Sequence, residues 1–328
     1  HELELEVEYE FGRDADESVI RRAFYTPDGM EAGIPDEYTY ENEEEREGEL
    51  AIQLDYIRPF GEDGQIEFGY RGDFENSDNE RILEIFESQN ATDPITRSDL
   101  GISQRERFTS AYLTFFQTFG RLGIQVGVRG EYADTRLSVP TGENFQNQYS
   151  TIFPSGNIRY DLGGGAEVRL AYSKRIRRPN PWVLNPINRS LDPLNRVVGN
   201  PDLDPSHNHN ASLEASWTGA VGTLRFSPYY RRSVGDWTQI KTVDTEGVST
   251  VTWENLNSVN SYGASLTANL RPTRGIGGFL SLNGQQEQRN AANISQEFSG
   301  SSFHWGARGN LQARITDDLN LQTMVFYS

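Results

Sequence analysis

Glu2-Leu-Glu-Leu-Glu-Val-Glu-Tyr-Glu-Phe11 alternates charge and apolar bulk without a break. Successive side chains on an extended strand point to opposite faces, so Leu3, Leu5, Val7, Tyr9 and Phe11 form one apolar row and the glutamates form the other. The same period recurs in Leu50-Ile52-Leu54-Tyr56, Ile66-Phe68-Tyr70 and Leu122-Ile124-Val126-Val128. It returns in Ala166-Val168-Leu170-Tyr172, Ala211-Leu213-Ala215-Trp217 and Leu224-Phe226-Tyr230, then in Ala264-Leu266-Ala268-Leu270 and Phe303-Trp305-Ala307-Leu311. The chain therefore reads as all-β.

The connections divide into two kinds. Short, glycine-rich ones stand at Gly61–Gly64, Gly120–Gly123, Asp161–Gly165, Thr218–Gly222 and Pro272–Gly278, with a sixth at Thr316–Asn320. Glycine supplies the positive φ that tight hairpins require. Between them lie long polar excursions at roughly 77–104, 140–150, 176–206, 243–260 and 287–301, with 12–47 before the first. Alternating short turns and long loops give a sheet with one trimmed rim and one elaborated rim.

Composition restricts the class further. The 328 residues carry a net charge of −18, which would repel the phosphates of a nucleic acid. The chain has no cysteine, as suits an oxidising compartment reached without disulfides. No stretch approaches the roughly 20 apolar residues of a membrane helix, but strands that alternate can still cross a bilayer. The chain opens on His1 rather than Met, so it is expected to be an internal piece with any export signal upstream.

A soluble sandwich would have strands of about five to six residues, whereas these read as ten or more, the length of a tilted membrane strand. It would also have to bury rows of Glu, Arg, Gln and Asn, at several kcal/mol per unpaired charge. Facing the apolar rows to lipid and the polar rows to a wet interior removes both difficulties. Phe60, Phe119, Tyr160 and Trp217, close to the short turns, suit an interfacial belt or simple strand propensity. The expected fold is an antiparallel transmembrane β-barrel, incomplete here, with about 13 strands, short periplasmic turns and long extracellular loops. Bacterial barrels have even strand numbers and must close, and the chain stops at Met324–Ser328 in what reads as mid-strand.

One excursion stands apart: Arg175-Ile-Arg-Arg-Pro-Asn-Pro-Trp-Val-Leu-Asn-Pro, continuing through Gly199-Asn-Pro-Asp-Leu-Asp-Pro205. Its prolines lack N–H groups and restrict their neighbours, so it is expected to be irregular. Trp182, Leu184, Val197 and Val198 argue against disorder.

Arg178-Pro179, Leu184-Asn185-Pro186 and Gly199-Asn200-Pro201-Asp202-Leu203-Asp204-Pro205, in that order after a strand, resemble the signature segment of TonB-dependent outer-membrane receptors, in the subgroup with "RP…LNP…GNPxLxP". Ala111-Tyr-Leu113, Gly127–Tyr132 and Asn255–Gly263 agree, and the resemblance runs from about residue 45 onward. It implies a barrel of about 22 strands around an N-terminal plug, of which residues 1–328 would be a partial barrel lacking the plug, first strands and terminal strands. It also implies a receptor in the outer membrane of a Gram-negative bacterium. Such a receptor takes up a scarce extracellular ligand, such as a siderophore or a glycan, with energy delivered by the TonB complex through the plug. The implied partners are that complex, a small-molecule or oligosaccharide ligand, and outer-membrane lipid and lipopolysaccharide. The other reading is a passive porin-like or surface-binding barrel without coupling. No catalytic constellation and no cofactor are expected.

Candidate ligand contacts are Arg175, Arg178, Trp182, Asn185 and Asn200, taken as the exposed positions of the proline segment. The competing reading is structural, with prolines and asparagines building a compact cap on the rim. Lys174, Arg175, Arg177 and Arg178 suit an anionic ligand or lipopolysaccharide phosphate, or internal pairing with carboxylates. His207 and His209 share one strand face at ligand spacing, and a lumen-facing or rim pair without metal is the expectation. Glu41–Glu47 reads as solvated loop surface, with cation collection as the other reading, and the four Asn-X-Ser/Thr matches read as chance.

Overall fold

The computed structural model describes residues 1–327 except 191, 193, 274, 317 and 318. Parts of two expected short turns, at 274 and at 317–318, two residues of the proline segment and Ser328 thus lie outside the described residues.

The strands follow one another as β1 (Glu2–Arg22), β2 (Glu37–Phe60), β3 (Gly64–Phe86), β4 (Thr96–Asp99), β5 (Ile102–Phe119), β6 (Leu122–Ser138), β7 (Asn144–Gly163) and β8 (Ala166–Arg177). After one helical turn, α1 (Pro181–Leu184), come β9 (Asn195–Val197), β10 (Ser206–Gly219), β11 (Gly222–Val234), β12 (Trp237–Val243) and β13 (Ser249–Asn255). The chain ends with β14 (Ser258–Leu270), β15 (Ile276–Asn290), β16 (Gly300–Arg314) and β17 (Asn320–Tyr327). One antiparallel sheet holds 14 strands, and since β4 merely pairs with β3 off the main path, the path itself has thirteen. Among the described residues no pairing joins β1 to β17, so the sheet is open. A small second sheet, in the order β12-β13-β9, stands on the long-loop side.

The register explains why the apolar rows share a face. Leu3 stands opposite Tyr56, Tyr56 opposite Phe68, Phe68 opposite Leu113 and Leu113 opposite Val128. Leu3, Phe68, Leu113 and Val128 are 69%, 51%, 49% and 45% exposed, so this belt is not a core. Against lipid such exposure is the stable arrangement. Gly61 and Gly120 turn the chain at φ 62° and 60°, conformations that an L side chain resists. Phe60, Phe119, Tyr160 and Trp217 lie beside the short turns in the same outward register as Leu122 and Leu224.

Three excursions are shorter than their polarity suggests. Residues 12–22, 37–47, 77–86, 102–104 and 144–150 are strand, and Glu41–Glu47 lies within β2 rather than on a loop. These outer strand ends are held by cross-strand charge pairs as well as by a few apolar contacts such as Tyr40 with Phe86: Arg13 Nε lies 2.8 Å from Glu44, and Arg81 Nε donates to Glu41 at 2.5 Å. The proline segment also contains regular structure, α1 and β9, contrary to expectation. Pro181 sits at the start of α1, where its missing N–H costs nothing, and Asn180 caps that turn by accepting from Val183 N at 3.1 Å.

Among the described residues, the larger of two buried apolar clusters lies under this segment. Val183, Leu184 and Leu203 pack on Leu137, flanked by Ile102, Phe145, Trp237 and Trp253. Ile102, Leu137 and Phe145 belong to the polar face of β5, β6 and β7. The loop therefore folds inward over the polar face at its outer end.

Candidate ligand site at the outer rim

The loop between β8 and β10 is pinned from within. Gly199 N donates to Asn185 O at 2.7 Å and Asn200 N to Val183 O at 2.7 Å, drawing its two halves together. Asn255, from the following loop, spans the closure: its Nδ2 donates to Asp204 O at 3.0 Å and to Gly235 O at 2.7 Å, while its Oδ1 accepts from Asp204 N at 2.9 Å. β9 then pairs in parallel with β13 from Asn195↔Ser249 to Val197↔Val251, tying the two outer loops into one body.

Three of the five candidate contacts serve this closure. Asn185 is buried at 4% exposure, not exposed as expected, because its Oδ1 accepts from Ile187 N at 3.0 Å and its amide lies against Leu100 O at 3.5 Å. Asn200 donates to Trp253 O at 2.9 Å and accepts from Asp202 N at 3.0 Å. Arg178 donates to Tyr149 Oη at 2.6 Å, pairs with Glu131, and lies 4.1 Å over the Phe108 ring. Burial works against its charge, yet Tyr149 and Glu131 together hold its pKa above the ordinary arginine value. Above Ser155↔Ser173 the pairing of β7 with β8 ends, and Arg178 bridges that seam from the end of β8 to both β7 and β6.

The other two remain available. Trp182 is 51% exposed. Arg175 is exposed and, among the described residues, its side chain has neither a hydrogen bond nor an ion pair. Its neighbour Arg177 is committed to Asp236 and lies 4.3 Å over the Trp237 ring.

Arg189, which no spacing rule singles out, completes the group. Its guanidinium lies 4.9 Å from the Trp182 ring centre and 5.9 Å from that of Trp253, and its buried Nε has no hydrogen-bond partner. Burial, and then the nearby Arg81, push its pKa below the ordinary arginine value. It borders a hollow of about 50 Å³ together with Arg81, Gln104, Pro181, Trp182 and Asn185. Gln104 Oε1 in the same wall is also buried without a partner. A half-buried guanidinium beside two indoles, its Nε short of an acceptor, is built to take an anionic or strongly accepting group. The volume suits the head of a ligand, not a whole one.

Other candidates fall elsewhere. His207 and His209 lie on the apolar face, opposite Ile176 and Lys174, which removes the lumen-facing alternative and leaves the rim. His209 Nδ1 lies 2.9 Å from Tyr172 Oη, and the cation of Lys174 stands beside the pair. On the polar face, Glu75 lies beyond the ten or so residues that span the bilayer next to the turn at Gly64. Burial, then repulsion from Glu106, Glu47 and Glu49, push its pKa up to about 7.

A family model described as the outer membrane protein beta-barrel family matches residues 1–328. A search of curated proteins gave no match. Among solved structures, the ferric yersiniabactin uptake receptor FyuA from Yersinia pestis is similar at a TM-score of 0.54 and 12% identity, over 96% of this chain and 49% of its own. The FrpB iron transporter from Neisseria meningitidis gives 0.54 at 11% identity over 92% and 50% of the two chains. The copper transporter OprC gives 0.53 at 14% identity over 96% and 55%. The chain thus spans about half the length of these structures, and at such identity the likeness is one of fold.

Proposed function

The chain belongs to the outer membrane protein beta-barrel family, and from that premise we propose that it forms much of the barrel of an active-transport receptor. In this reading the receptor binds a scarce extracellular ligand, a siderophore, a glycan or similar, at the outer rim. It imports that ligand with energy from TonB, acting through a plug encoded upstream. The observation that carries the reading is the proline segment, which is folded back over the polar face and presents Arg189, Trp182 and Arg175 to the interior. A passive pore gains nothing from a rigid cap that narrows its mouth while leaving a cation unsatisfied. The signature "RP…LNP…GNPxLxP" supports TonB coupling. The uptake of ferric yersiniabactin, iron and copper by the similar folds supports a metal-complex ligand.

The test uses the full-length receptor in whole cells. Uptake of radio-iron citrate and of a labelled neutral oligosaccharide is measured with and without a protonophore. Concentrative entry of one probe, abolished by the protonophore, is expected; entry of both that stops at equilibrium and ignores the protonophore would leave the passive barrel standing.

A further inference from the structure

The apolar face carries a built surface that ligand uptake does not use. Tyr70, Ala111, Gly130 and Ile152 stand in one cross-strand row over β3, β5, β6 and β7. Large residues end the row, Tyr70 at 42% and Ile152 at 64% exposure, and the two small ones floor a hollow of about 520 Å³. A Cβ built on Gly130 meets nothing within 4 Å, so this glycine makes space that no other side chain fills.

The rows above change character. Arg107 stands opposite Asp134, and one step further Arg105 stands opposite Arg136. Arg105 and Arg136 line a second, polar hollow of about 500 Å³ with Asn76, Asp78, Ser138 and Gln146. Arg136 pairs with Asp134 at 3.1 Å, and Asp134 also accepts from Gln146 at 2.8 Å, so that carboxylate is occupied. Among the described residues the Arg105 side chain has one hydrogen-bond partner, the neutral Asn76 Oδ1 at 3.0 Å. Arg107 is exposed and, among the described residues, its side chain has no hydrogen bond or ion pair. Three arginines thus gather on the outward face of a chain whose net charge is −18.

Height identifies the occupant. At about 3.3 Å per residue and a tilt of about 40°, the Gly130 row stands on the order of 20 Å above the short turns and the arginines roughly 10 Å higher. That places an apolar hollow in the outer leaflet and an arginine cluster at its headgroups. We infer that this surface binds lipopolysaccharide, with one acyl chain of lipid A in the lower hollow and a lipid A phosphate on Arg107, Arg105 and Arg136. Guanidinium groups take phosphate oxygens two at a time, which gives the site a geometry that a diffuse charge lacks. The inference is independent of what the receptor transports.

The test purifies the full-length receptor from outer membranes in mild detergent and measures co-purifying lipid A per receptor by mass spectrometry. Beside the wild type stand an Arg105→Ala, Arg107→Ala, Arg136→Ala triple variant and Gly130→Trp, which plugs the lower hollow. Retained heat modifiability on gels confirms that each variant is folded. A fall in bound lipid A of at least about 5-fold in both is expected from the loss of charge-assisted contacts and of the acyl slot. Rebinding after delipidation should be strong for lipid A and weak for its dephosphorylated form or for phosphatidylglycerol. Unchanged lipid A in the folded triple variant would overturn the inference, and so would equal rebinding of phosphatidylglycerol. Should Gly130→Trp fail to fold, the triple variant decides alone.

Discussion

The amide of Gly199 donates to the carbonyl of Asn185 at 2.7 Å, and a Cβ at position 199 would stand 2.4 Å from that same oxygen. The glycine in the proline segment is therefore required by close approach of backbone to backbone, not by an unusual φ.

Gly199→Ala should consequently loosen the cap without unfolding the sheet. Overpacking against fixed backbone costs about 1–3 kcal/mol. Limited proteolysis should cut between residues 186 and 196 in the variant and spare the wild type, while heat modifiability stays unchanged.

Arg178→Ala should act more strongly, because it takes from the Glu131 carboxylate, whose side chain is 7% exposed, its hydrogen-bonded cation and leaves it only the more distant Arg129 at 3.6 Å. Removing one partner of a fully buried, otherwise unpaired ion costs about 3 kcal/mol, and Arg129 and the partial exposure of Arg178 bring the cost here to roughly 2 kcal/mol. The double variant Arg178→Met, Glu131→Leu should recover much of the loss. Thermal unfolding in detergent compares them, and equal melting of wild type and Arg178→Ala would refute a structural role for the pair.

Arg189 should matter for ligand and little for fold. Its Nε has no partner to lose, so Arg189→Gln should melt within a few degrees of wild type. It should nonetheless weaken binding of an anionic probe, ferric citrate, by roughly 10-fold, the worth of one charge-assisted hydrogen bond. Binding of a neutral oligosaccharide probe should move far less.

Glu75 sets a pH dependence. Its pKa in the fold is about 7 against an ordinary 4.5, so between those values the folded state holds a proton that the unfolded chain has released. Stability attributable to this group therefore falls as pH rises from about 4.5 to about 7, and is flat on either side. Glu75→Gln should melt like wild type at pH 4 and higher than wild type at pH 8, with the gap opening across that window. A gap independent of pH would exclude the assignment.

What was legible in the sequence was whatever depends on period two. In Leu3–Phe11 or Ala166–Tyr172 a shift of one residue changes the face, so the pattern alone separates lipid from lumen. The outer strand ends were not legible, since Glu44 and Arg46 stand where an apolar residue would mark the row, and only the partner strand reveals the pairing of Glu44 with Arg13. The proline segment could be recognised as a unit, but the roles of its residues could not. Asn185 and Asn200 read as exposed polar contacts, yet their amides satisfy backbone groups from other loops. Arg189 was silent because Trp253 and Gln104 reach it from distant strands, and nothing in local spacing announces that meeting.

The parallel pairing of β9 with β13 carries a kinetic consequence. Between these segments the chain must cross the bilayer and return, along β10 and β11, before Val197 can meet Val251. Closing so remote a contact is slow relative to forming a hairpin. The cap is thus a timer: its amides should gain protection from hydrogen exchange only after that hairpin has inserted, so that a stalled, half-assembled barrel would display an open mouth on the cell surface.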